Sequence, residues 1–232
     1  MSFISIAKEE KQKEKNGRMK FKYIFVLYKK ILNFVPMILD QIRPEVTCDN
    51  LILVDADFAD HVAFDLIVNF ERMLARRIPN ADMARWIDCL ALDGGIREGK
   101  EQTQVALIHS KGKVQMDYFT PGHFGKELDG QAFKDNLGEF VINAFREESM
   151  ANRGNLMTDM LRLSLATKEV KRIVMVPDEE YIDEIRQTLR HADSDKQVTI
   201  LAMHPIVGGN FRQEILGYSL MSALGIKGEE LG

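Results

Sequence analysis

Residues 171–203, KRIVMVPDEEYIDEIRQTLRHADSDKQVTILAM, hold two short apolar runs on either side of an amphipathic segment. KRIVMVP and QVTILAM read as strands and the spacing over 179–191 predicts a helix, a β-α-β unit whose strands are most simply parallel. A further helix is expected at 211–224. Upstream, LILVDAD at 51–57 reads as a buried strand. It is followed by Val62, Leu66, Phe70, Met73 and Leu74 at helical spacing over 59–76, and by a second helix over 81–90 after the Pro79-Asn80 break. TQVALIHS at 103–110 and VQMDYF at 114–119 flank Lys111-Gly112-Lys113, which reads as a hairpin turn. A short helix at 129–136, the strand EFVINAF and a helix at 155–167 complete the alternation. The expected fold is α/β: a doubly wound, mainly parallel sheet containing 51–56, 104–109, 140–145, 171–176 and 197–202, with helices on both faces.

The chain has 232 residues, 45% of them hydrophobic, enough for one sizeable core. Its net charge of −4 conceals an asymmetry. Residues 1–36 hold nine Lys/Arg against three Glu, a net of +6, and 37–232 hold 22 basic against 32 acidic residues, a net of −10. The composition shift divides the chain into a basic extension over 1–36, with Met37 as an alternative start, and a single α/β domain over 37–232. Within the extension, residues 21–35 have the spacing of a basic amphipathic helix, suited to docking on the body or on an anionic membrane surface. Lys29 and Lys30 interrupt the apolar stretch, so a membrane span is not expected, and no small-residue cleavage site marks a signal peptide. The acidic body argues against a double-stranded DNA binder. Two cysteines, Cys48 and Cys89, are too few for a disulfide scaffold and fit a reducing compartment, so a cytoplasmic location is expected.

Open α/β sheets bind ligands outside the carboxyl ends of their strands. The strand at 51–57 ends in Asp55 and Asp57, with Asp60 and His61 following, and the strand at 171–177 is followed by Asp178, Glu179 and Glu180. If the two strands are neighbours, these carboxylates converge, and clustered hard oxygen donors suit Mg²⁺ or Mn²⁺ and metal-assisted phosphodiester hydrolysis. The competing account is helix capping. Asp57 and Asp178 both precede helices, and Glu179 and Glu180 suit the positive end of a helix dipole.

LVDADF at 53–58 resembles the opening strand of NYN domains in the PIN-like nuclease superfamily, an apolar run followed by D-G-D-N, with Asp55 and Asp57 matching its two acids. VPDEEYIDEIRQTLR at 176–190 is similar to the family's S-G-D-x-D-F motif and the helix after it, with Asp178, Glu180 and Tyr181 in register. NLMTDMLRLSLA at 155–166 resembles its acidic helix, with Asp159 as the matching acid. The resemblance spans residues 51–203. It implies a metal-dependent ribonuclease with Asp55, Asp57, Asp178 and Glu180 as catalytic acids. Asp159 joins them as a fifth ligand to Mg²⁺ or Mn²⁺, and single-stranded RNA is the implied substrate. Three departures stand out: Phe58 replaces Asn, Val176-Pro177 replaces Ser-Gly, and the second acid of the helical motif falls near Leu165. Loss of the Ser hydroxyl removes support for metal ligands, and Pro177 has no backbone donor.

HPIVGGNFRQEIL at 204–216 suggests a strand-to-helix loop with Asn210 as N-cap and Arg212 in the first turn, whose backbone N–H groups suit a phosphate; it is neither a Walker A nor a dinucleotide motif. The five histidines show no zinc spacing, and Cys89 reads as part of an apolar helix face beside Trp86 and Leu90. Met221, Leu224 and Ile226 suit either the core or a subunit interface, and a homo-oligomer is expected. Three functional classes therefore stand open: a divergent PIN/NYN-like ribonuclease, a noncatalytic interaction or oligomerisation module that retains the sheet and has lost the chemistry, and, behind these two, a small-ligand or nucleotide binder that uses the 205–212 loop.

Overall fold

A computed structural model of the protein describes residues 48–99, 101–147, 152–192 and 195–231; the extension at 1–36 lies outside the described residues. Its elements in chain order are β1 (Cys48–Asp55), α1 (Ala56–Leu74), β2 (Ala81–Asp82), α2 (Met83–Asp93), β3 (Gln102–His109) and β4 (Phe119–Thr120). A π-helical turn at Phe124–Leu128 leads to β5 (Gln131–Asp135) and β6 (Gly138–Arg146). Then come α3 (Arg153–Ala166), β7 (Arg172–Val176), a 3₁₀ turn at Glu179–Tyr181, α4 (Ile182–His191), β8 (Gln197–Ala202), β9 (Arg212–Ile215) and α5 (Leu216–Ala223).

Seven strands form one sheet in the order β5-β6-β3-β1-β7-β8-β9. All neighbours are parallel except β5, which runs antiparallel to β6. Counted over the parallel strands, the order is 3-2-1-4-5-6, that of a doubly wound sheet, and it reverses between β1 and β7. β1 is buried along its whole length, as a strand covered on both faces must be. Leu53 sits in register with Ala106 and Met175, and Val54 with Leu107 and Val176. Ile52, Val54, Val105, Leu107, Val174 and Val176 face the main core, where α1, α2 and α5 contribute Val62, Trp86, Leu90 and Leu220. Side chains of alternate parity face the other way. There α3 packs on β1 and β3, and α3 also contacts α4. The Trp86 indole donates to Ser219 Oγ at 3.2 Å, fastening α2 to α5.

Three expectations are corrected. Lys111-Gly112-Lys113 does not turn a hairpin, and 114–119 is not a strand beside β3: β3 pairs with β1 and β6. Instead Asp60, 2% exposed, accepts the N–H groups of Asp117 (3.1 Å) and Tyr118 (2.9 Å) and a 2.6 Å bond from Lys113 Nζ. That carboxylate holds the segment against α1 and delivers β4 to a small parallel pairing with β2. Residues 129–136 do not form a helix. Gly130 and Gly138, at φ 73° and 132°, bracket β5 and fold it back on β6. Residues 211–224 are divided between β9, which extends the sheet, and α5, so neither Asn210 nor Arg212 begins a helix and the proposed phosphate loop has no helix N-terminus behind it. Leu224 and Ile226 are buried in the core, which removes them from any interface. Cys48 and Cys89 are free thiols, and burial pushes Cys48 up to about 11.

Candidate functional site

The point where the strand order reverses is also where the acids fall. Asp55 closes β1 and caps α1, accepting the Phe58 N–H at 3.0 Å, and Asp57 in the first turn of α1 accepts the Ser110 N–H at 3.3 and 3.4 Å. From the neighbouring strand, Asp178 follows β7 and caps the 3₁₀ turn, accepting the Glu180 N–H at 3.1 Å. Capping and convergence are thus properties of the same side chains.

Between them lies a residue that the sequence reading did not single out. Arg153 is the first residue of α3, behind the N-cap Asn152, whose side chain accepts the Asn155 N–H at 2.8 Å. Its Nε donates to Asp55 Oδ2 at 2.9 Å and Oδ1 at 3.1 Å, its Nη1 donates to Asp57 Oδ2 at 3.1 Å, and its Nη2 lies 3.9 Å from Asp178 Oδ2. One planar fork therefore spans β1, α1 and the end of β7, a geometry for which a guanidinium is suited and an ammonium is not. The Asp55 side chain is 1% exposed and that of Arg153 20%. Burial pushes the Asp55 carboxyl above the usual carboxylate range, against the opposing pull of the Phe58 N–H and Arg153. Burial also opposes the charge on Arg153, but Asp55, by charge and hydrogen bonding, and Asp57 outweigh it and raise its pKa. Tyr181 closes the site over the start of α3. Its ring lies so near Gly154 that a Cβ there would stand 2.5 Å from Cε1 and 2.6 Å from Cγ, and burial raises the pKa of its phenol.

Two of the expected ligands are placed elsewhere. Asp159, farther along α3, pairs with Arg162 at 3.1 Å on an exposed surface. Glu180 is exposed and makes no ion pair with the guanidinium among the described residues, while Glu179 bonds His204 Nδ1 at 2.9 Å. His109, at the end of β3, is a packing residue: it stacks on Phe124 with centroids 3.9 Å apart, and burial lowers its pKa. The remaining donor set does not fit a divalent ion. Among the described residues no three His, Cys, Asp or Glu side chains are arranged to hold a metal. Mg²⁺ binds oxygens at about 2.0–2.1 Å, and both Asp55 oxygens and Asp57 Oδ2 already accept hydrogen bonds from Arg153. One signal for Arg153 was present in the sequence. A cation in the first turn of a helix opposes the macrodipole, so it calls for anions brought by the rest of the fold.

Fold and site together define a doubly wound α/β domain with an arginine-bridged acid cluster at its switch point. The chain belongs to a family of unknown function, DUF6621, whose model matches residues 46–231. No curated protein and no solved structure matches it. No helix among the described residues is long and apolar enough to cross a membrane.

Proposed function

We propose that this chain is a noncatalytic cytoplasmic interaction module on a PIN/NYN-like scaffold, in which the Arg153 guanidinium takes the place of a divalent cation. The observation that carries this reading is the bonding of one guanidinium to Asp55 and Asp57 with Asp178 at its third nitrogen. A metal in such a site would lower the pKa of a bound water and offset charge on a leaving oxygen. Arg153 supplies charge and donors but has no coordination position for water, and it engages the lone pairs that a metal would use. The cluster then serves as a clamp that joins β1, α1, α3 and β7. The net charge of −10 over 37–232 also disfavours a phosphate backbone as partner.

The test sets the full chain with Mn²⁺ or Mg²⁺ against single-stranded RNA. The expected outcome is no metal-induced rise in melting temperature and no cleavage. Metal-dependent cleavage that disappears in Asp55→Asn overturns the proposal in favour of the divergent ribonuclease.

A further inference from the structure

We infer that the outer edge of β9 is a dimerisation surface, which pairs antiparallel with β9 of a second copy of this chain about a two-fold axis at Gln213. The inference deepens the interaction-module reading by naming a partner, and its own footing is the edge strand. β9 ends the sheet: its inner edge pairs with β8, and among the described residues no strand pairs with its outer edge. A strand edge of this kind is a template for another chain unless it is blunted.

Residues 211–215, FRQEI, are chemically self-complementary when reversed. With Gln213 opposite its own copy, Arg212 faces Glu214 of the second copy, Glu214 faces Arg212, and Phe211 faces Ile215. Directly opposed residues point to the same face of a sheet, so each pair is in reach, and opposite charges so placed are stabilising. The side chains are already presented together. Arg212 and Glu214 share one face of β9, with Nε to Oε1 at 2.9 Å and Nη2 to Oε1 at 2.5 Å. Asp93, at the end of α2, adds a second carboxylate beside them. Within one copy Arg212 is shared between Glu214 and Asp93, and pairing brings each Glu214 a second arginine.

Other registers lose this match. A slip by one residue sets Gln213 against Glu214 and Arg212 against Ile215, and a slip by two opposes Glu214 to Glu214 or Arg212 to Arg212. The opposite edge lacks the property: β5, QAFKD, reversed about Phe133 sets Lys134 against Ala132 and Asp135 against Gln131. Four residues make a short pairing, and exposed apolar side chains flank β9 in sequence on both sides. Val207, in the loop before β9, is 85% exposed, and Tyr218, three residues beyond it, is 72% exposed.

Sedimentation equilibrium on the full chain at low ionic strength tests the surface. Wild type is expected to be a dimer at about 100 µM. Arg212→Glu and Glu214→Arg each oppose like charges at both symmetric positions and are expected to weaken the dimer about tenfold to a hundredfold. An equimolar mixture of the two variants restores complementarity and is expected to give a dimer with one copy of each. The exchanged double variant Arg212→Glu/Glu214→Arg is expected to dimerise with itself. A monomeric wild type, undiminished dimers in both single variants, or a mixture that stays monomeric would each overturn the inference. None of these bears on Arg153, whereas a metal response in the wild type overturns the noncatalytic reading and leaves the β9 surface untouched.

Discussion

Replacing Arg153 with Met tests the clamp most directly, because the side chain keeps an unbranched apolar stem and loses its charge and donors. Asp55 would then stay buried, 1% exposed, with only the Phe58 N–H bonded to it and Asp57 close by. Removing one partner of a buried ion pair costs about 3–5 kcal/mol. Asp57 and Asp178 are 17% and 22% exposed and can recover some hydration, which favours the lower figure, about 3 kcal/mol. For a domain of this size that corresponds to a melting temperature roughly 6–12 °C lower. Arg153→Lys keeps the charge but loses the fork and is expected to fall between the two.

The deficit should depend on pH, with a sign set by the unpaired acid. Without Arg153 the folded Asp55 carboxyl, already raised by burial, rises further. A raised folded pKa contributes stability that is complete below the unfolded value, about 3.9, and is lost as pH climbs through the folded one. Calorimetry of wild type and Arg153→Met from pH 4 to 8 should therefore show the gap widening upwards. A variant that melts within about 1 °C of wild type at neutral pH refutes the clamp.

Asp88 tests a second carboxylate. Burial first, then Asp135 and Asp82, push it from 3.8 up to about 7, so the stability its proton confers is complete below pH 3.8 and lost as pH rises towards 7. Melting curves should show Asp88→Asn gaining on wild type across that window; parallel curves would contradict it. Gly154→Ala drives a methyl into the Tyr181 ring and should cost about 1–3 kcal/mol by denaturant titration. Combining it with Tyr181→Ala should cost less than the sum of the two single changes, and simple additivity would count against the contact. Asp60→Ala removes the acceptor for Lys113, Asp117 and Tyr118; about 3 kcal/mol and early proteolytic nicking at 111–118 are expected, and an intact loop under limited proteolysis would argue otherwise.

The parts of the fold that were legible share one property. β1, β3, β6, β7 and β8 are the parallel strands inside the sheet, and burial on both faces, complete in β1 and nearly so in β3, β7 and β8, writes itself as a largely apolar run. Where the expectation failed, local pattern and tertiary demand diverge. Residues 114–119 have a strand's composition, but a buried carboxylate 57 residues upstream of Asp117 decides their path. β5 is an edge strand that is mostly exposed, so it lacks the apolar alternation that would have marked it. β9 runs directly into α5, and four residues, three of them partly buried, beside eight helical ones are absorbed into a single helical reading.

The site divides along the same line. Asp55, Asp57 and Asp178 were legible because the rule that places ligands at the carboxyl ends of parallel strands acts on residues already adjacent to recognisable strands. Arg153 was not, because nothing within its own segment shows that α3 starts opposite β1; its bond to Asp55 joins residues 98 apart in sequence. Acid counting alone leaves the neutralising charge unnamed: three carboxylates that meet repel one another, and that Arg153 brings a positive charge among them is a property of the whole fold. Here a helix begins with an arginine against its own dipole, a placement that three aspartates compensate and that would otherwise be unfavourable. The aspartates depend on the arginine for the same reason, so each partner stabilises the other where the fold brings them together.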